Sequence, residues 1–233
     1  MKNIKTLSAL TLGLVTASSA FALTDGPYDV FFPPSGFAAT DFSNFLNVPK
    51  FNVAGGTLTS ISISLNGNIL ANQKAENLDP TAASLTLKTD VSLTLKRPDA
   101  STIVVTIPEV LTPFAAGGFD GTIDFGGSSG TTVTAAPATS TDSATLNTVG
   151  DLALFSGAGS IALPVNGNAS TSATGSGNII SQFSTSANAH VTVTYTYSTA
   201  NVPEPKVYGA IGAVACLGLL GYRRFRNGQA AQA

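Results

Sequence analysis

The chain has 233 residues, of which 43% are hydrophobic and only 10% charged, with no tryptophan and one cysteine, Cys216. Its net charge of −2 hides a division by position: all 13 acidic residues lie between Asp25 and Glu204, where only Lys50, Lys74, Lys88, Lys96 and Arg97 accompany them, a net of −8. Such an acidic span disfavours nucleic acid and anionic lipid as partners, and with no cysteine in it there are no disulfides and no thiol nucleophile.

At the N-terminus, Lys2 and Lys5 precede an uncharged apolar stretch over residues 7–20. Ala20-Phe21-Ala22 then supplies the small-x-small pattern that signal peptidase accepts. The expectation is a signal peptide over residues 1–22, recognised through Ala20 and Ala22 and cut before Leu23. Residues 23–198 read as one exported domain, long enough to bury a core without crosslinks. Phe31, Phe32, Phe37, Phe42, Phe45 and Phe51 come early and are expected in that core. Ile61, Ile63 and Leu65 alternate as a strand that should end at the turn pair Asn66-Gly67. Residues 72–78 are the one helical candidate. Leu85, Leu87, Val91, Leu93 and Leu95 share one parity while Ser84, Thr86, Lys88, Asp90, Ser92, Thr94 and Lys96 take the other. That predicts one long strand, or two with a bend near Thr89. A turn at Arg97-Pro98-Asp99-Ala100 leads to Ile103, Val105 and Ile107, completing a hairpin. Shorter strands are expected at 122–125, 131–134, 143–149 and 160–163. The last strand puts Val191, Val193, Tyr195 and Tyr197 on one face and Thr192, Thr194 and Thr196 on the other. Many strands with regular turns and no βαβ rhythm give an all-β fold, an antiparallel β-sandwich ectodomain.

Residues 199–206 form a Pro-rich linker containing Val202-Pro203-Glu204-Pro205. The prolines break any helix and leave Glu204 extended, as an enzyme that threads the chain through its active site requires. Residues 207–222 carry no charge and read as one C-terminal transmembrane helix. They span about 24 Å against a hydrocarbon core of about 30 Å, with Tyr208 and Tyr222 placed for the two interfaces. Arg223, Arg224 and Arg226, in a basic tail over residues 223–233, orient that end to the cytoplasm. Cys216 reads as a small apolar residue of this helix, with lipidation as the alternative.

The ordered set of Val202-Pro203-Glu204-Pro205, apolar helix and arginine cluster resembles the PEP-CTERM sorting signal. The resemblance implies processing by exosortase, a membrane-embedded cysteine transpeptidase of Gram-negative bacteria that also make extracellular polysaccharide. One departure is the tail after the arginines, since residues 227–233 extend past the point where many such signals stop. The span before the linker resembles the choice-of-anchor E domain. The segments that carry this are Phe119-Asp120-Gly121-Thr122-Ile123-Asp124-Phe125-Gly126-Gly127, Asp151-Leu152-Ala153-Leu154-Phe155, and Gly175-Ser176-Gly177-Asn178 leading into residues 191–197. That resemblance implies an extracellular β domain without a defined chemistry. The implied route is export through the inner membrane, transient anchoring with the domain periplasmic, and a final place on the cell surface or outside it.

Candidate chemistry is sparse. Gly126-Gly127-Ser128-Ser129-Gly130 matches G-x-S-x-G, but that elbow needs a helix after it and residues 131–134 read as strand. His190 is the only histidine, and alternation places it on a polar, solvated face. Asp120 and Asp124 are flanked by glycines, and Asp79, Asp90 and Asp99 lie on or near the long hairpin. They read as turn-capping carboxylates, with a calcium site as the alternative. No other cofactor is indicated. Tyr28, Tyr195 and Tyr197 are the only tyrosines between the end signals, so a carbohydrate-stacking face is not marked by residue type. Asn168-Ala169-Ser170 matches a glycosylation acceptor pattern. Three readings stay open: a non-enzymatic surface or matrix protein of a biofilm, an exopolysaccharide-binding module, and a secreted hydrolase using His190 or paired aspartates.

Overall fold

A computed structural model describes residues 22–175, 177–199 and 212–223. The chain divides into a compact unit, Ala22–Ser198, and a second unit made of Met1–Phe21 with Thr199–Ala233. Ala20, the sorting residues Val202, Pro203, Glu204 and Pro205, and Arg224 and Arg226 lie outside the described residues. So does most of the expected signal peptide. Of the second unit, residues 212–223 are helical, with Cys216, Leu217, Leu220 and Tyr222 exposed. Among the described residues no helix is long and apolar enough to cross a membrane.

The compact unit is two antiparallel five-stranded sheets facing each other. The first holds β1 (Leu23–Phe32), β2 (Ala38–Ala39), β4 (Gly56–Asn77), β8 (Gly130–Leu146) and β10 (Ile179–Thr199), in the order β1-β10-β4-β8 with β2 also on β10. The second holds β3 (Phe42–Pro49), β5 (Ala83–Lys96), β6 (Thr102–Thr106), β7 (Glu109–Ala116) and β9 (Ser160–Gly175), in the order β3-β9-β5-β6 with β7 also on β5. A short helix, α1 (Val149–Leu154), joins β8 to β9.

Period-two patterning explains the core. Ile61, Ile63, Leu65 and Ile69 of β4 meet Val91, Leu93 and Leu95 of β5, with Leu163 and Val165 of β9 and Val191, Val193 and Tyr195 of β10. All of these are at most 1% exposed, so each contributes the full 1.5–3 kcal/mol or so of a buried aliphatic or aromatic side chain. The Tyr195 hydroxyl donates to the Pro49 carbonyl at 2.6 Å, and burial pushes its pKa up. A smaller cluster of Ala75, Leu85, Leu87 and Ala116 fills the other end. Between the two clusters Gln73 crosses from one sheet to the other. Its Nε2 donates to Thr89 Oγ1 at 2.9 Å, and its Oε1 accepts from Thr112 Oγ1 at 2.6 Å.

The expected hairpin is present: β5 is one strand, and Leu93–Leu95 pair with β6 after the turn. Four expectations need correction. Asn66-Gly67 is not a turn, because β4 runs straight through it. Gly67 faces the opposite sheet, where an added Cβ would lie 2.4 Å from Leu93 Cδ1. Residues 72–78 are not helical; Ala71, Gln73 and Ala75 continue the inward face of β4. Residues 122–125 are loop. The 143–149 strand stops at Leu146, and Thr148 caps α1 instead, its hydroxyl accepting from the Asp151 amide at 3.2 Å. The candidates at 131–134 and 160–163 lie within the longer β8 and β9.

Candidate functional site

The early phenylalanines divide between interior and surface. Phe51 is 4% exposed and belongs to the core, and Phe32 and Phe42 pack against it. Phe31, Phe37 and Phe45 do not; they are 50%, 40% and 62% exposed. This corrects the expectation that the whole group is core, and the cause is parity. On β1 and β3, both edge strands, Phe31 and Phe45 fall on the face opposite Val30 and Leu46, while Phe37 lies in the connection just before β2.

Phe31 and Phe45 flank a recess of about 330 Å³ between the two sheet edges, lined also by Asp29, Pro34 and Asn47. Cross-strand register builds one wall of it. Phe31 sits opposite His190 and Asp29 opposite Thr192. The Phe31 and His190 rings stack at 4.2 Å with 12° between their planes. Asp29 Oδ1 accepts from Thr192 Oγ1 at 2.7 Å and lies 2.8 Å from His190 Nε2. The Thr192 hydroxyl and then the His190 ring lower the Asp29 pKa, keeping that carboxylate charged at the rim.

The His190 cluster does not form a proton relay. Asp29 and Thr192 both approach Nε2, Thr192 Oγ1 at 3.4 Å. A nucleophile–base–acid chain needs the acid on one ring nitrogen and the nucleophile on the other. Here one nitrogen serves both contacts, and the cluster fixes the ring as a flat, polar-edged plate beside Phe31.

From the recess the outer face of the first sheet continues as a ladder of amides and hydroxyls. Asn68 Nδ2 donates to Asn66 Oδ1 at 2.8 Å and to Asn188 Oδ1 at 2.9 Å. Thr139 Oγ1 donates to Asn68 Oδ1 at 2.7 Å, and Asn72 Nδ2 to Ser184 Oγ at 3.0 Å.

The glycine-flanked loop is organised by a buried carboxylate. Glu76, at the end of β4, is fully buried and accepts from the Phe125 amide at 2.7 Å and from the Ser129 hydroxyl. Gly126-Gly127-Ser128-Ser129-Gly130 leads directly into β8, and no helix follows it. Asp120 accepts from the Thr122 amide and Asp124 from the Gly126 amide, each closing its own turn. Asp79 accepts from the Asn178 amide and Asp99 from the Ser101 amide, while Asp90 pairs with Lys88. These carboxylates therefore face backbone or lysine rather than one another. Among the described residues no group of three or more His, Cys, Asp or Glu converges as a cation site would require.

Two of the sequence-predicted site residues are described. Ala22 is exposed immediately before β1, and Arg223 is exposed at the end of the 212–223 helix. Sequence reasoning did not find Asp29, Phe31, Phe45 or Asn47 as a group. Their only signal was polar or aromatic residues on the outward parity of the early strands.

No family model matches the chain, and no curated protein matches it. Among solved structures, the VP2 subviral particle of infectious bursal disease virus aligns with 78% of this chain and 36% of its own at 16% identity, with a TM-score of 0.24. The Gt strain of that virus aligns with 95% of this chain and 59% of its own at 11% identity, with a TM-score of 0.15. The chain thus spans well under two thirds of the length of these structures, and scores this low do not establish a shared fold.

Proposed function

We propose that this chain is an exported surface or matrix protein, sorted by exosortase and structural in role, with the Ala22–Ser198 sandwich as its working part in a polysaccharide or biofilm layer. The reading rests on the Ala20-x-Ala22 site and on Val202-Pro203-Glu204-Pro205 with its apolar helix and arginines. The observation that carries it is the extent of the compact unit, Ala22–Ser198. A cut before Leu23 and removal of the segment after the linker would leave every strand pair and both apolar clusters intact. The test is the intact mass of the mature protein from wild-type and exosortase-deleted cells. The expected result is an N-terminus at Leu23 in both, with residues 207–233 lost only when the enzyme is present. If the helix and arginines remain on the wild-type protein, the segment is a plain anchor and the sorting reading fails.

The recess supports a second reading, exopolysaccharide binding. Exposed phenylalanine rings beside an ionised carboxylate and an amide suit a sugar, whose ring has an apolar face and a hydroxyl rim. Retention on purified host exopolysaccharide that persists as ionic strength rises is the expected result. No retention at any ionic strength would remove this reading.

A further inference from the structure

Among the described residues, the two sheets share an uncovered stretch of edge. On β10, β1 pairs with residues from Ala189 to Tyr197, β2 pairs with Ser186 and Ala187, and Thr40 reaches Thr185. Among the described residues, 179–184 have no strand neighbour on that side. On β9, β3 pairs from Ser160 to Gly167, and Asp41 Oδ1 accepts from the Ala169 amide. Among the described residues, 170–175 have no strand neighbour on that side, although β5 pairs with them on the other. The two open stretches are each six residues, about 20 Å of strand. Both end at the point where residues 38–42 cross from one sheet to the other.

Strand edges left open are normally protected by charge, proline or a bulge. These are not. Residues 160–199, which hold both β9 and β10, contain no Asp, Glu, Lys or Arg, and neither open stretch contains proline. In a domain that is otherwise strongly acidic, the neutral region coincides with the open edge. Asp41, beside Ala169, and Asp79, beside Asn178, bound the stretch, and between them a second copy meets no like charge.

We propose that this edge is the interface for a second copy of the chain. A two-fold axis perpendicular to the sheets sets residues 179–184 of β10 antiparallel to the same residues of the second copy. The same rotation sets residues 170–175 of β9 against their counterparts in the other sheet. The step at residues 38–42 makes this self-complementary. β1 and β3 project beside the lower half of the edge, so each copy's bare upper half slides in above the projecting strands of the other. Both sheets become continuous across the dimer, and the Ile179 and Phe183 side chains, which flank the smaller apolar cluster, are covered. The interface does not depend on the sorting or sugar-binding readings.

The test is sedimentation velocity and hydrogen exchange on the full chain in detergent. Wild type should approach twice the 23.5 kDa chain mass as concentration rises, more readily at higher salt because the rest of the domain is acidic. Ser181→Lys and Ser172→Lys, both at exposed positions on the open stretches, should each weaken association about tenfold or more. Ser62→Lys, exposed on the outer face of β4, should not. Amides of residues 179–184 should gain protection with concentration in wild type, a readout that requires no variant. A monomer at every concentration overturns the proposal, as does a dimer untouched by both edge lysines. Protection independent of concentration also overturns it, since the chain would then be covering its own edge.

Discussion

Asp151→Ala should be strongly destabilising, because it breaks a largely covered ion pair. Arg97 Nε reaches Asp151 Oδ1 at 2.6 Å and its Nη2 reaches Oδ2 at 3.2 Å, while the Thr148 hydroxyl donates to Oδ2 at 2.8 Å. The Asp151 side chain is 7% exposed and that of Arg97 is 21% exposed. Truncation therefore leaves a largely covered guanidinium without its partner and removes an acid from the first turn of α1. Breaking a fully buried pair costs about 3–5 kcal/mol; with Arg97 part-exposed, about 3 kcal/mol is expected. At this chain size that lowers Tm by about 6–12 °C. Arg97→Ala should cost a similar amount, about 2–3 kcal/mol, because it leaves the more covered Asp151 with Thr148, as Asp151→Ala leaves Arg97 with Ser101 and Thr102. Urea unfolding of wild type, both single variants and the double variant gives the coupling, expected at about 1.5 kcal/mol or more. The pH dependence has a definite sign. Hydrogen bonding to Arg97 holds the Asp151 pKa below its ordinary 3.8. Its contribution is therefore complete above that value and is lost as pH falls through the native pKa. The gap between wild type and Asp151→Ala should narrow below about pH 4. Single-variant costs that add within about 0.5 kcal/mol, or a gap that widens in acid, would refute the pairing.

Gly67→Val should destabilise the domain by about 2–3 kcal/mol in chemical denaturation, since its side chain would enter the space held by Leu93 and Thr106. An exposed turn glycine in this place would give a far smaller effect. Phe31→Ser with Phe45→Ser should weaken retention on host exopolysaccharide by about tenfold per ring, while Tm moves little because both rings are exposed. Glu76→Gln should present an amide to the Phe125 N–H or the Ser129 hydroxyl, and so loosen residues 118–129. Limited proteolysis should then cut that loop faster, with the apolar core still folded.

The strands legible in the sequence were those whose inward positions are mostly apolar, such as β5, interrupted only by Thr89, and the last part of β10, with Val191, Val193 and Tyr195. β4 was hidden by its own buried residues. Gly67 imitates a hairpin turn because it leaves room for Leu93, and Gln73 and Glu76 interrupt the apolar alternation because they bond across the sheets and into a loop. Both are decided by partners far along the chain, which no local window contains. α1 did carry a local mark, Thr148 three residues before Asp151, the acceptor-and-acid spacing of a helix start. The recess was least visible of all. Phe31 and Phe45 look like core by type, and it is their parity on β1 and β3 that turns them outward.

Leu23 lies opposite Tyr197, so the domain's first and last strands begin and end side by side, while the β9–β10 connection is at the far end of a 21-residue strand, about 70 Å away. A tether at the C-terminal end and a partner at the other would put tension along the axis of β10. Its ladder bonds lie across that axis, so the pull meets them in shear and they must yield together rather than peel one by one. Under such a load the sandwich would hold along the axis of β10 more firmly than across it.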